Sequence, residues 1–132
     1  MSDRRMLVWL VTVLAATGGV LAAHHSATLY ETDAVIIENA TVTSVIWANP
    51  HTILTFNVRG ADGTVSSWNA ESGSPSSLSG IGWNRNSVRV GDSVTVELYP
   101  AKNGARVGRL AKVVFPDGRE LLDSQNRADA ER

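Results

Sequence analysis

Between Ser93 and Tyr99 (SVTVELY) the apolar residues Val94, Val96 and Leu98 alternate with polar ones, the period of two expected of a half-buried strand. Similar patterns recur upstream. Val35-Ile36-Ile37 opens the series, and Ala40 to Trp47 (ATVTSVIW) is rich in β-branched residues, with Val42 and Val45 in strand-like surroundings. Ala48-Asn49-Pro50-His51 then interrupts: proline has no N–H and pushes Asn49 toward extended geometry, which predicts a bulge or tight bend. Thr52 to Val58 and Thr64 to Ala70 are expected as the second and third strands, joined across Asp62-Gly63, a strong hairpin signal.

The next stretch changes character. Ser74 followed by Pro75 is a cap and first-turn pair, so a short helix or turn is expected before the glycine-bearing Gly80-Ile81-Gly82-Trp83. Val90-Gly91-Asp92 turns the chain into the Ser93 strand, and Pro100 to Gly104 turns it again. Arg109 to Phe115 is the last core strand, and Pro116-Asp117-Gly118 leads to a short final one over Arg119 to Leu122. Three strands in a meander, a helical connection and two or three more strands predict an all-β, OB-like five-stranded barrel with its short helix between strands three and four. A β-sandwich is the rival arrangement.

The chain ends differ from this middle. Met6 to Ala23 carries no charged side chain, follows Arg4-Arg5 and finishes in small residues, the layout of a secretory signal peptide over residues 1–23. A retained membrane anchor is the alternative, since an apolar run of about 18 residues is near the lower limit for spanning a bilayer. Thr17, Gly18 and Gly19 favour cleavage, after Ala22 or Ala23. The expected organisation is a signal helix, one β domain over residues 24–122 and a polar, disordered tail over residues 123–132, working in the periplasm or outside the cell.

Charge and composition exclude several roles. Twelve basic and 13 acidic residues give a net charge of −1. Removing residues 1–22 takes away Asp3, Arg4 and Arg5 and leaves about −2, which does not fit a nucleic-acid binder. With no cysteine there is neither a disulfide nor a thiolate metal site. No glycine-rich phosphate loop and no serine–histidine elbow is present, so no catalytic set is assigned.

Three histidines remain: His24, His25 and His51. If cleavage leaves Ala23 first, the free amine, two backbone amide nitrogens and the third-residue imidazole of His25 can surround Cu(II) or Ni(II) in a square plane. If it leaves His24 first, that residue's amine and imidazole can chelate a metal together, and His51, aimed by the Asn49-Pro50 bend, is the candidate third nitrogen. The bland alternative is a flexible polar start and a histidine that only caps a bend. Glu71 is a fourth candidate, as ligand or as the group orienting a histidine; alternatively it caps the following helix. Trp47, Trp68 and Trp83, with Asn49, either form a face for a protein or glycan partner or belong to the core.

Several motifs occur in a specific order: His24-His25-Ser26, Trp47-Ala48-Asn49-Pro50-His51, Trp68 and Glu71 before Gly73-Ser74-Pro75, Gly82-Trp83 with Arg85-Asn86-Ser87, Gly91-Asp92-Ser93-Val94-Thr95-Val96, and Pro116-Asp117-Gly118-Arg119. In these the chain resembles a family of short exported bacterial proteins that carry a domain of unknown function. The resemblance implies a periplasmic or secreted β domain with no established activity. Three roles are therefore expected, in this order: a non-enzymatic metal-binding protein, with copper, Cu(II), as cofactor; an OB-like interaction module for a periplasmic protein or glycan; and a redox or hydrolytic enzyme using the same metal. Membrane contact is expected only through an uncleaved leader.

Overall fold

The computed structural model of the protein describes residues 29–126. The expected signal helix, the cleavage site and the pair His24-His25 lie outside the described residues. Six strands form in the order expected: β1 (Val35–Ile46), β2 (Ile53–Arg59), β3 (Val65–Glu71), β4 (Ser93–Pro100), β5 (Val107–Val114) and β6 (Glu120–Leu122), with one helix, α1 (Pro75–Ser79), between β3 and β4. β1 begins at Val35, five residues before the Ala40 start expected for the first long strand, because the Val35-Ile36-Ile37 segment joins it; the other strands lie within about two residues of their expected bounds.

The strands close on themselves. β2 pairs antiparallel with β1 and β3, β1 with β4 and β4 with β5, and β5 returns to β3 in a parallel pairing of Asn69 with Val107, Ala70 with Gly108 and Glu71 with Arg109. The result is the five-stranded barrel with a helix after its third strand, to which β6 adds on β5. Closure removes most free strand edges, which would otherwise invite pairing with other chains.

One long strand makes the closure possible. β1 pairs with β4 from Val35 to Thr41 and with β2 from Thr41 to Ile46. Its register slips between Ile37 and Ala40, where Asn39 has a φ of 55°, and again between Val42 and Ser44. Extra residues of this kind bend a strand and sharpen its twist, so β1 can turn from one side of the barrel to the other.

The alternating residues fill the interior. Val94, Val96 and Leu98 of β4 are all nearly inaccessible, together with Val42, Leu54, Phe56, Leu110 and Val113. Helix α1 adds Leu78, which is fully buried, to the same core; Ser74 caps it by accepting the Ser77 N–H at 3.2 Å. Burying a leucine of this kind stabilises the fold by about 2 kcal/mol. Gly108 has a different task, in the β4–β5 ladder. A Cβ there would lie 2.5 Å from Leu98 Cδ1 and 2.8 Å from the Tyr99 carbonyl, so only glycine lets the strands meet this closely.

The domain continues past the expected boundary. Asp123, assigned by its polar surroundings to the tail, is buried with 2% of its surface exposed, and residues 124–126 make a helical turn packed against the barrel. The physical reason is local polarity with non-local satisfaction: the partners of Asp123 lie on the far side of α1 in sequence. The expected disorder of residues 127–132 concerns residues outside those described.

Candidate functional site

The β2–β3 hairpin brings His51 and Glu71 together. From the turn at Asp62-Gly63 the register runs without a slip from Arg59 opposite Val65 to Ile53 opposite Glu71. The pairing continues past the sheet, because Ser72 N donates to the Thr52 carbonyl at 2.8 Å and Thr52 N to the Gly73 carbonyl at 3.0 Å. Thr52 points into the core with 2% exposure, so its neighbour His51 faces outward, in the bend that begins at the cis bond between Asn49 and Pro50.

His51 Nδ1 lies 3.1 Å from the Ser72 carbonyl. A carbonyl oxygen only accepts, so Nδ1 carries the hydrogen and Nε2 of the neutral ring keeps its lone pair. Nε2 lies 3.3 Å from Glu71 Oε1. In that tautomer two acceptors face one another, and a positive species between them, a proton or a metal ion, turns repulsion into attraction.

The other carboxylate oxygen is held as well. Tyr30 donates its hydroxyl to Glu71 Oε2 at 2.9 Å. Burial pushes the Tyr30 phenol up from 10.0 to about 12, helped by the hydrogen bond to Glu71 and by that residue's charge, with the Arg109 charge opposing. Tyr30 is itself fixed by the backbone: it bridges to Ala101, Glu31 N donates to the Pro100 carbonyl at 2.8 Å and Lys102 N to that of Leu29 at 3.0 Å.

Beneath this group lies a second one. Asp123 Oδ1 accepts from Ser72 Oγ at 2.7 Å and from Gly73 N at 2.9 Å, and its Oδ2 accepts from Gln125 N at 3.1 Å. Ser124 packs so closely on Gly73 that a Cβ there would collide with Ser124 Oγ. Tyr30, His51, Glu71, Gly73, Arg109 and Asp123 line a common cavity of about 300 Å³.

Of the residues singled out in the sequence, His51 and Glu71 are thus in contact, and Glu71 is not the helix cap, a place taken by Ser74. Among the described residues no three histidine, aspartate or glutamate side chains converge as a complete metal site. Trp83 is core: it is 6% exposed and donates Nε1–H to the Leu122 carbonyl at 2.9 Å. Trp47 and Trp68 are half-buried against the same core, and Asn49 is exposed in the bend. Tyr30, Arg109 and Asp123 were not read as site residues, since each reaches the cavity through a pairing distant in sequence.

A family model described as "Family of unknown function (DUF6152)" matches residues 12–111. No curated protein and no solved structure matches the chain.

Proposed function

Because the chain belongs to the DUF6152 family, a family of unknown function, we propose its role from the site itself: an exported, non-enzymatic protein that binds Cu(II). The observation that carries the reading is the contact of His51 Nε2 with Glu71 Oε1 at 3.3 Å while His51 Nδ1 faces the Ser72 carbonyl at 3.1 Å. A histidine that ligates a metal usually gives its other N–H to a carbonyl or carboxylate, which fixes the tautomer and aims the lone pair. His51 has that arrangement, with a carboxylate beside the free nitrogen.

Two donors do not complete a copper site. The rest would come from the processed amino terminus. Tyr30 pins the chain at Glu71, and His24 is six residues upstream, a separation that an extended chain covers with about 20 Å of reach. The α-amine and the imidazoles of His24 and His25 can therefore arrive at His51. Nitrogen donors in this number suit Cu(II), and ligand protons leave as the metal binds.

Intact mass of protein recovered from the medium or periplasm gives its first residue, and copper titration of that species tests the site. His25→Ala and His51→Ala are each expected to weaken copper binding by more than about tenfold, since loss of a supporting partner alone costs that much. Tight copper binding that survives both substitutions would remove this role. So would a protein that keeps its leader and never exposes the new amine.

A further inference from the structure

Arg109 lines the cavity, and among the described residues no carboxylate forms an ion pair with it. Its guanidinium has five N–H donors. Among the described residues only Nη1 has hydrogen-bond partners, and both are neutral amides: Gln125 Oε1 at 3.2 Å and Asn126 Oδ1 at 3.3 Å. Three carboxylates, Glu31, Glu71 and Asp123, line the same cavity. Glu71 is its partner across the β3–β5 seam, yet its Oε2 accepts from Tyr30 and its Oε1 faces His51 Nε2. Asp123 shares the cavity wall and is turned to Ser72, Gly73 and Gln125.

The guanidinium is also held still. The Tyr99 ring lies 4.3 Å from its central carbon, and Asn126 Nδ2 in turn donates to the Tyr99 hydroxyl at 3.4 Å. A planar donor fork fixed on one face and one edge keeps its remaining donors ready for an acceptor, and two oxygens in one plane match them best.

We propose that this cavity binds a small carboxylate, received by the free donors of Arg109. A carboxylate fits better than a phosphate because Glu31, Glu71 and Asp123 also line the cavity, and a doubly charged anion meets twice the repulsion. The assignment does not rest on metal binding, and its test uses metal-free protein.

The full chain, stripped of metal, is titrated with sodium acetate while the side-chain N–H signals of Arg109 are followed by NMR, with sodium chloride at matched ionic strength as control. A saturable shift with acetate and none with chloride is expected. Arg109→Gln should abolish saturation at the Tyr30 and Gly73 amide signals. Arg109→Lys, which keeps the charge and loses the fork, should weaken binding by about tenfold and stands in should the glutamine variant not fold. A drift that never saturates, an equal response to chloride, acetate affinity within about twofold of the parent in the folded variants, or tighter binding of inorganic phosphate than of acetate each overturns the site.

Discussion

Ser72 Oγ and Asp123 Oδ1 meet at 2.7 Å although 51 residues separate them, in a position buried on both sides. This contact ties the end of the chain to the exit of β3 and holds the floor under His51 and Glu71. It also satisfies a carboxylate that water barely reaches.

Asp123→Ala should therefore be among the most damaging polar substitutions in the domain. It strands the Ser72 hydroxyl and the Gly73 N–H, and an unsatisfied buried donor costs about 1–3 kcal/mol. A loss of about 2–4 kcal/mol in denaturant unfolding is expected. A change below about 0.5 kcal/mol, the range of ordinary surface substitutions, would show that the clasp contributes little.

The β4–β5 ladder predicts a second loss. Gly108→Ala drives a methyl group into Leu98 and the Tyr99 carbonyl, and the carbonyl cannot move without opening the β4–β5 ladder. Overpacking of this kind costs about 1–3 kcal/mol. Amide hydrogen exchange should locate the damage, rising at Leu98–Tyr99 and Val107–Arg109 before the β1–β2 ladder; uniform loosening would contradict a local clash.

Tyr30 gives a titration with a definite sign. Its phenol is pushed up to about 12 from an ordinary value of 10.0, so the folded protein keeps a proton that the unfolded chain gives up first. Its stabilising contribution is whole below about pH 10 and is lost as pH rises through about 12. The ultraviolet phenolate band of the metal-free protein, compared with Tyr30→Phe, isolates this group. Glu71→Gln should bring its midpoint down, because the hydrogen bond to a carboxylate and that charge both raise it; an unmoved midpoint would leave burial as the whole cause.

Copper should stabilise the exported form by mass action. At a free concentration about a hundredfold above its dissociation constant, a ligand of the native state adds about 2.7 kcal/mol. Thermal unfolding with and without Cu(II) measures this. His51→Ala should shrink the gain sharply while leaving metal-free stability nearly unchanged, because His51 is half-exposed. An equal gain in the variant would place the copper elsewhere.

Much of the site was legible as well as hidden, for reasons that particular residues illustrate. A hairpin turned at Asp62-Gly63 advances one residue on each strand per step, so His51 and Glu71 had to come near each other once that turn was read. Trp83 was ambiguous in sequence, because an indole serves equally as platform or filler. Only the Leu122 carbonyl at its Nε1–H marks it as core. Arg109 and Tyr30 gave no local signal for the site, since the residue that brings each of them there, Glu71, lies on a strand distant in sequence.

What the chain's pattern determined by itself is whatever short-range physics controls. Alternation at Val94, Val96 and Leu98, the turn residues, and Ser74-Pro75 specify strands, hairpins and helix position through steric preferences and burial within a few residues. The tertiary structure alone decided the parallel β3–β5 seam, which sets Arg109 beside Glu71, and the return of Asp123 to Ser72. Those pairings join segments 38 to 51 residues apart, where nothing nearby in the chain records the partner, and they emerge only when the closed barrel brings the two segments together.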